Sequence, residues 1–378
     1  MPIQIYTQSI EYIGQIDSVP SREMTRCWND AGHFLFQTDA NQIPGQGIQP
    51  DFLVMFDNDP HRAGIVRTVQ QNETDALTIT VSGETLNGLF SQRLNLQPQD
   101  PGLAALNFGY DLAPSYETKG QSLQDMPCEE ILKIYVDRHC VRPTDSARKI
   151  AGLCIRENEN RGIPTKWMAR NGTVLLDTLK SISEYSELGF ETVLNPKEKT
   201  MVFDVIEGKT PPVYFSTDFL DVMYMEHQRS TQGAKNVGYA AGMTYDDFSR
   251  LQLTVTAQET APEGIARREA FLDCGNLTVA DTTENISLSS EGEHRIADYI
   301  VEDTIGIKIA PNYQFVYRRD YDIGDIVKVY SKRMGVSVCR RITAATERLS
   351  SGGLELELTF GKAPPNFAQS VKRLIKNH

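Results

Sequence analysis

The sequence lacks the features that mark membrane, secreted and nucleic-acid-binding proteins. No apolar run approaches the roughly 18 residues that a membrane-spanning helix needs, and the first 20 residues have neither the basic start nor the continuous apolar block of a secretory signal. Lys and Arg are outnumbered by Asp and Glu, 38 to 50, for a net charge of −12. The bases are interspersed with acids, so sequence-specific nucleic-acid binding is not expected. We predict a protein of cytoplasmic origin without a membrane span.

The six cysteines include no C-x-x-C pair, so we interpret them as reduced, small hydrophobic residues. Cys128, Cys140 and Cys154 lie near His139, but their spacing matches no zinc pattern, and adjacent helical residues point in different directions. The one basic cluster (Lys372, Arg373, Lys376) is interpreted as the exposed face of a C-terminal helix.

Catalytic motifs are equally scarce. The sequence has no G-x-S-x-G, G-x-x-x-x-G-K-[ST], G-x-G-x-x-G or H-E-x-x-H motif. The segment Asp320–Val327 spaces its carboxylates like a calcium loop, yet its flanks are strand-like, so we interpret it as a turn that leads into a strand. Paired carboxylates of a glycosidase type stay open as an alternative. We therefore predict no catalytic residue, no cofactor-binding residue, no metal ligand and no cofactor.

The chain divides by pattern into three parts. The first, residues 1–111, has Val-, Ile-, Thr- and Phe-rich segments of period two with turn residues between them, which is typical of a small barrel or sandwich. Its predicted strands are Met1–Asp17, Gly32–Thr38, Phe52–Asp57, Gly64–Gln71 and Ala76–Ser82, with a short helix at Thr85–Arg93.

The second part, residues 112–207, is predicted to be an α/β lobe. The spacing of its apolar residues predicts an amphipathic helix at Cys128–Cys140 and another at about Thr173–Leu188, with Thr173 as N-cap and Gly189 just after the C-terminus. Strands at Phe190–Leu194 and Met201–Ile206 would form a hairpin.

The third part, residues 208–378, returns to β structure. One helix is expected at Ser290–Glu302 and another at the C-terminus, where Phe367, Val371, Leu374 and Ile375 form a narrow apolar stripe. The predicted strands are Val213–Phe215, Asp221–Gln228, Asn236–Ala241, Arg250–Ala257, Tyr313–Tyr317, Ile326–Tyr330, Gly335–Glu347 and Gly353–Phe360.

Several segments resemble the tail-hub proteins of siphophages and prophages, specifically the ReqiPepy-type Gp-thirty-seven-like family. The resemblance covers roughly residues 80–368. It includes, in order, IYVDRHCVRPTD (134–145), SEYSELGFE (183–191), VFDVIEGK (202–209), KNVGYAAG (235–242), RREAFLD (267–273), YDIGDIV (321–327), RITAATE (341–347) and LTFGKAPP (358–365).

The resemblance implies a β-rich α+β fold with two tube-like β-barrel domains and an inserted α/β lobe, as in trimeric phage baseplate hubs. The first barrel would be residues 1–111, with 213–242 as an expected completion, and the second would be 208–378. It implies a homotrimer in the virion tail tip, assembled in the host cytoplasm. Such a ring adapts the hexameric tube to a three-fold tip.

The same resemblance implies several partners: the distal tail, tail tube and tape-measure proteins, and a tail fibre or spike. DNA would pass through the lumen without specific binding, repelled by carboxylates. The expected role is structural and not enzymatic. The alternatives are a cell-wall- or carbohydrate-degrading tail protein and a glycan-binding one, although the aromatic residues are spread evenly along the chain.

Overall fold

A computed structural model describes most of the chain. The described residues are 2–17, 19–45, 47–73, 77–96, 110–112, 126–165, 167–219, 222–243, 250–257, 260–278, 288–297, 299, 301–310 and 313–361. The predicted C-terminal helix and the basic cluster at its end lie outside them. None of the helices within these ranges combines the length and apolar character that a bilayer crossing requires.

The residues form two compact units. Unit 1 comprises residues 1–113, 126–225 and 306–360, and unit 2 comprises 114–125, 226–305 and 361–378. Unit 1 is therefore built from three separate stretches of chain. The boundary between the units falls within two strands, β16 (Val222–Ser230) and β20 (Glu302–Ile309).

A large, mostly antiparallel sheet dominates unit 1. Its other strands are β1 (Ile3–Tyr6), β2 (Tyr12–Ile16), β3 (Ser21–Cys27), β4 (His33–Asp39), β5 (Leu53–Phe56), β6 (Ala63–Glu73), β7 (Leu77–Thr85), β15 (Tyr214–Ser216), β21 (Ile326–Ser331), β22 (Val336–Ser350) and β23 (Gly353–Gly361). Their order is β16-β20-β23-β22-β3-β4-β7-β6-β5-β1-β2, with β21 between β15 and the first half of β22. Within the described residues this path does not close into a barrel.

Strand β22 connects the early and late parts of the sheet. Its first half pairs with β21, and its second half lies between β23 and β3, with Thr346 opposite Thr25. Strand β3 pairs with β22 on one side and with β4 on the other. It is therefore a central strand, and its two neighbours are far apart in sequence.

The core of this sheet is formed by apolar residues that occupy every second position of its strands. Strand β4 alternates exposed and buried positions, and its buried Phe34 and Phe36 pack with Phe56 of β5 at ring-centroid distances of 5.5 and 6.1 Å. Edge-to-face arrangements of this kind stabilise a core beyond simple burial. Ile3, Ile5, Ile16, Val54, Val66, Ile79 and Val81 complete the same cluster.

The α/β part of unit 1 is folded around two helices, α1 (Cys128–Val136) and α2 (Leu175–Ser186). Its strands are β8 (Tyr110–Leu112), β9 (Met126–Pro127), β10 (Leu153–Ile155), β11 (Pro164–Thr165), β12 (Met168–Arg170), β13 (Gly189–Asn195) and β14 (Thr200–Ile206). The β13–β14 hairpin is antiparallel, and β10 runs parallel to β14. The predicted helices and hairpin are confirmed within a few residues.

Unit 2 contains a three-stranded sheet of order β18-β17-β19 covered by one helix. Its elements are β17 (Val237–Met243), β18 (Arg250–Thr256), β19 (Glu269–Thr278) and α3 (Leu288–Ala297). Ala240, Val255, Leu272 and Ile296 form its core.

Several local predictions were wrong. Helix α2 has Val174, without a side-chain cap, at its N-cap in place of Thr173, and its left-handed terminal residue is Glu187 (φ 57°). Gly189 is instead the first residue of β13. The short helix expected at Thr85–Arg93, by contrast, is confirmed as a 3-10 helix at Leu86–Gln92. Residues 313–317 form no strand, because their aromatic side chains turn into a cluster around Phe215.

Eight strands were missed by the sequence pattern: β3, β19 and β20, and the five short strands β8 to β12 of the α/β part. Helix α3 ends at Ala297, so Glu302, which was placed at the end of the predicted helix, begins β20. β3 escaped prediction because Arg22 and Arg26 point inward from it, at positions where a strand pattern requires apolar residues.

Candidate functional site: a polar sheet face and a buried junction

The cysteines considered as metal ligands lie on different elements: Cys128 begins α1, Cys140 follows that helix and Cys154 is in β10. Cys128 donates a hydrogen bond to the carbonyl of Ile163 at 3.0 Å, and Cys154 donates to that of Met201 at 3.5 Å. Burial raises the pKa of the Cys128 thiol to about 11 and that of Cys140 to about 12. The thiols are therefore protonated at neutral pH. Among the described residues, no three His, Cys, Asp or Glu side chains come together as a metal site.

The carboxylates of the 320–327 segment are directed to separate donors. Asp320 accepts from the backbone N–H of Val316 at 2.7 Å, and Asp325 accepts from that of Lys209 at 2.8 Å. Asp322 accepts from Arg26 at 2.8 Å. The segment is a turn, with Gly324 at φ 88°, that leads into β21.

One face of the large sheet is polar over five neighbouring strands, and we call it the polar face. Side chains alternate across a strand, so the register of β23, β22, β3, β4 and β7 places alternate residues of each strand on this face. The residues are Ser21, Glu23, Thr25, His33, Leu35, Gln37, Asp39, Thr78, Thr80, Ser82, Glu84, Thr346, Arg348, Glu355 and Glu357.

Hydroxyl, amide and carboxylate groups dominate the polar face. Among the residues that define it, the one guanidinium is that of Arg348, which donates to Glu23 at 2.6 Å and to Glu357 at 2.5 Å. Two cations of the flanking strands β6 and β20 also pair with its carboxylates: Arg67 lies 3.3 Å from Glu84, and Lys308 lies 2.8 Å from Glu355. Burial raises the pKa of Glu23, but the bonds from Arg348 outweigh that effect and hold the pKa below its usual value. Glu23 therefore carries its charge at neutral pH. Among the residues that define this face, no arginine or lysine is left without a carboxylate partner.

A second feature, buried, connects the three stretches of unit 1, and we call it the junction. Its apolar part is Trp28, which follows β3 and is only 3% exposed. The ring lies against Gly189 of the α/β part and against Gly324, where a Cβ atom would overlap it. The Arg341 guanidinium lies over the ring at 5.1 Å from the centroid, a cation–π contact.

The charged part of the junction is centred on Arg26, which is buried. It donates to Asp322 at 2.8 Å and to the Tyr317 hydroxyl at 3.0 Å, and it lies 3.6 Å from Glu191 of β13. Glu191 also contacts His61 Nδ1 at 2.9 Å. Burial raises the pKa of Tyr317, which keeps this hydroxyl neutral.

Further ion pairs extend the junction to the turn between β5 and β6. Arg22 makes a bidentate contact with Asp57, both distances being 2.8 Å. Arg62 bonds to Asp57 at 3.0 Å and to Glu347 of β22 at 2.6 Å. Arg318 pairs with Asp59 of the same turn.

Within the described residues, the junction pairs its arginines with carboxylates. These ion pairs hold the three stretches of unit 1 together, and removal of one partner would leave a buried charge uncompensated. Sequence reasoning did not identify Arg22, Arg26, Glu191 or Glu347. The available signal was the pair of arginines four residues apart in β3, both on the side of Met24.

The sequence matches the family described as Siphovirus ReqiPepy6 Gp37-like protein over residues 2–362. No curated protein sequence matches the chain.

Three solved structures of similar fold cover almost the entire chain. A tail protein from Neisseria meningitidis MC58 aligns with a TM-score of 0.55 at 14% identity, over 95% of this chain and 96% of that one. The 43 kDa tail protein of prophage MuSo2 from Shewanella oneidensis gives 0.54 at 11% identity, over 96% and 98%. Prophage tail protein gp18 from Listeria monocytogenes EGD-e gives 0.52 at 11% identity, over 100% and 99%.

Proposed function

The chain belongs to the Siphovirus ReqiPepy6 Gp37-like protein family, and from that membership we propose that it is a non-enzymatic hub protein of a phage tail tip. Three copies form a ring that adapts the hexameric tail tube to a three-fold tip. The ring is assembled in the bacterial cytoplasm and resides in the virion. Its neighbours are the distal tail, tail tube and tape-measure proteins, and a fibre or spike.

Each copy contributes two tube-like modules, residues 1–111 (with 213–242 as a completing segment) and residues 208–378, and the lobe at 112–207 decorates them. Two modules in each of three subunits give the six similar surfaces that a hexameric tube requires. The unclosed antiparallel sheet of unit 1 supports this arrangement, because subunit contacts can cover sheet edges that would otherwise promote aggregation.

The observation that carries the proposal is the polar face. We infer that it lines the DNA exit channel. A phosphate backbone binds through unpaired Lys and Arg, and the guanidinium of Arg348 is already held by Glu23 and Glu357. The residues that define the face carry five carboxylates against this one guanidinium, and they therefore give a hydrated, negatively charged wall that repels DNA and lets it pass without specific binding.

The trimer is tested by measuring mass in solution and by negative-stain microscopy of the purified protein and of tail tips. We expect three times the 42.4 kDa chain mass and an annulus with three-fold symmetry. A protein that stays monomeric at all concentrations, and is found in tail tips in one or two copies, would overturn the proposal.

The channel wall is tested by placing an unpaired cation on it. Gln37→Lys lies on an exposed position of β4 in the polar face, and Gln49→Lys, at an exposed loop position outside that face, is the matched control. In virions that carry these variants, we expect Gln37→Lys to slow DNA ejection in vitro and Gln49→Lys to leave it unchanged. Equal ejection rates would show that DNA does not pass along this face.

A further inference from the structure

A groove of about 810 Å³ opens in unit 1 between two hairpin turns. Residues 58–61, between β5 and β6, form one wall, and residues 195–197, between β13 and β14, contribute to the other. Val193 and Val202 lie between them, and both are partly exposed. The groove therefore combines an apolar floor with polar walls, as ligand sites commonly do.

The carboxylates that line the groove already have cationic partners. Glu191 contacts His61 at 2.9 Å and is also paired with a buried arginine of the junction. Asp204 lies 3.2 Å from Lys133 Nζ and 3.3 Å from Arg156 Nε. Both carboxylates are largely shielded from water, with side chains 19% and 11% exposed. They have little capacity left to attract a basic ligand.

The exposed charges of the groove are positive. The Arg156 side chain is 58% exposed, and Lys197 is exposed and makes no ion pair within the described residues. Asn58, at the opposite wall, adds an exposed amide. In a protein of net charge −12, a groove with neutralised carboxylates, an unpaired Lys197 and a largely exposed Arg156 is complementary to a ligand that carries acidic groups.

We propose that this groove binds an extended acidic peptide segment of another protein, with carboxylates toward Lys197 and Arg156 and apolar side chains on Val193 and Val202. The edge of β13 is already bonded, since Phe190 and Leu194 donate to the carbonyls of Trp28 and Pro60 at 3.1 Å. Recognition therefore depends on side chains and not on strand addition. A peptide fits better than DNA, because phosphate binding requires a longer row of cations.

The proposal goes beyond the hub function and does not depend on it, because the groove lies within one unit of one chain. The test incubates the purified, labelled full chain with a cellulose-bound array of octapeptides of graded Asp and Glu content, including matched Lys- and Arg-rich octapeptides. The variants are Lys197→Glu and, as a control, Lys332→Glu, which reverses an exposed lysine in the β21–β22 turn. Equal melting temperatures establish that both variants are folded.

We expect the wild type and Lys332→Glu to bind octapeptides that combine Asp or Glu with apolar residues. Lys197→Glu should weaken that binding about tenfold, as measured afterwards in solution by fluorescence anisotropy with the best octapeptide. Three results would overturn the proposal. The wild type binds octapeptides without preferring acidic ones, Lys197→Glu and Lys332→Glu bind the best octapeptide with equal affinity, or the wild type binds no octapeptide. A 20-base-pair DNA duplex that displaces the octapeptide only from wild type and Lys332→Glu would assign the groove to nucleic acid and would also overturn it.

Discussion

Trp28 packs so closely against Gly189 and Gly324 that neither position has room for a side chain. Gly324 lies against the ring and has φ 88°, so both space and backbone conformation require glycine there. We expect Gly324→Ala to lower the free energy of unfolding by about 3 kcal/mol through overpacking. The control, Gly335→Ala, has φ 67° but open space around it, and should lose only about 1 kcal/mol. Urea unfolding followed by tryptophan fluorescence measures both, and equal losses would refute the packing argument.

Arg26 is the buried charge on which the junction depends. Arg26→Met removes the guanidinium and leaves Asp322 and Glu191 with one partner fewer each. We expect a loss of about 3–5 kcal/mol, measured by thermal unfolding. The matched control is Arg142→Met, since Arg142 is 81% exposed and pairs with Asp137 of its own helical segment. It should leave stability almost unchanged, because its ion pair is exposed to water, and an equally mild effect of Arg26→Met would contradict the role given to the junction.

Glu129 gives the chain a predictable response to acid. Burial raises its pKa, but hydrogen bonds from Lys133 and from the backbone N–H groups of Arg161 and Glu159 outweigh burial and lower it. A lowered folded-state pKa contributes stability that is present above the unfolded value, about 4.5. That stability is lost as the pH falls through the folded value.

The measurement is the urea midpoint of unfolding between pH 7 and pH 3. The wild type should lose stability below about pH 4.5 more steeply than Glu129→Gln. A Glu129→Gln curve parallel to the wild type would show that this carboxyl does not titrate with folding.

At the scale of elements, the least apolar strand of the sheet occupies one of its most central positions. β3 has paired neighbours on both sides, whereas β16 is the terminal strand of the described sheet and is exposed over most of its length. We expect amide hydrogens of β3 to exchange more slowly than those of β16. Hydrogen exchange with mass spectrometry compares the two peptides directly, and equal or faster exchange in β3 would be inconsistent with the topology.

Strands and helices could be predicted from the sequence where their buried positions are occupied by apolar residues. β4 and β5 follow the apolar pattern because their inward phenylalanines pack against one another, and helices α1 and α2 have clear apolar faces. β3 does not, since its inward arginines are neutralised by carboxylates brought from other parts of the chain. The position of those partners is a property of the tertiary fold, which a local pattern does not contain.

The same reason explains why the candidate surfaces were only partly predictable. The negative net charge led to the expectation of a repelling wall, but the residues of the polar face follow from strand register, which the sequence does not specify. The aromatic residues seemed evenly spread, yet Phe215, Tyr313, Tyr321 and Phe360 meet in one cluster. Distance along the chain is a poor guide where the contacts are made between remote segments.

At the scale of the molecule, unit 1 requires all three of its chain segments. A fragment of residues 1–96 retains the Phe34–Phe36–Phe56 core but loses β22 and every carboxylate partner of Arg26. We expect the fragment to show no cooperative thermal transition by calorimetry, whereas the full chain does. Arg26→Met in the same fragment should improve its solubility, because it removes an unpaired charge. A sharp transition in the unaltered fragment would mean that the first module folds alone.

The hydrogen bond between Thr25 and Thr346 joins residues 321 positions apart, and that separation sets an order of events during translation. The strand that Thr25 occupies emerges from the ribosome early, whereas its second neighbour exists only after β22 has been synthesised. Until that point β3 presents one unpaired edge, and an open edge of this kind invites pairing with other chains. The topology therefore creates a long interval during translation in which this strand needs protection.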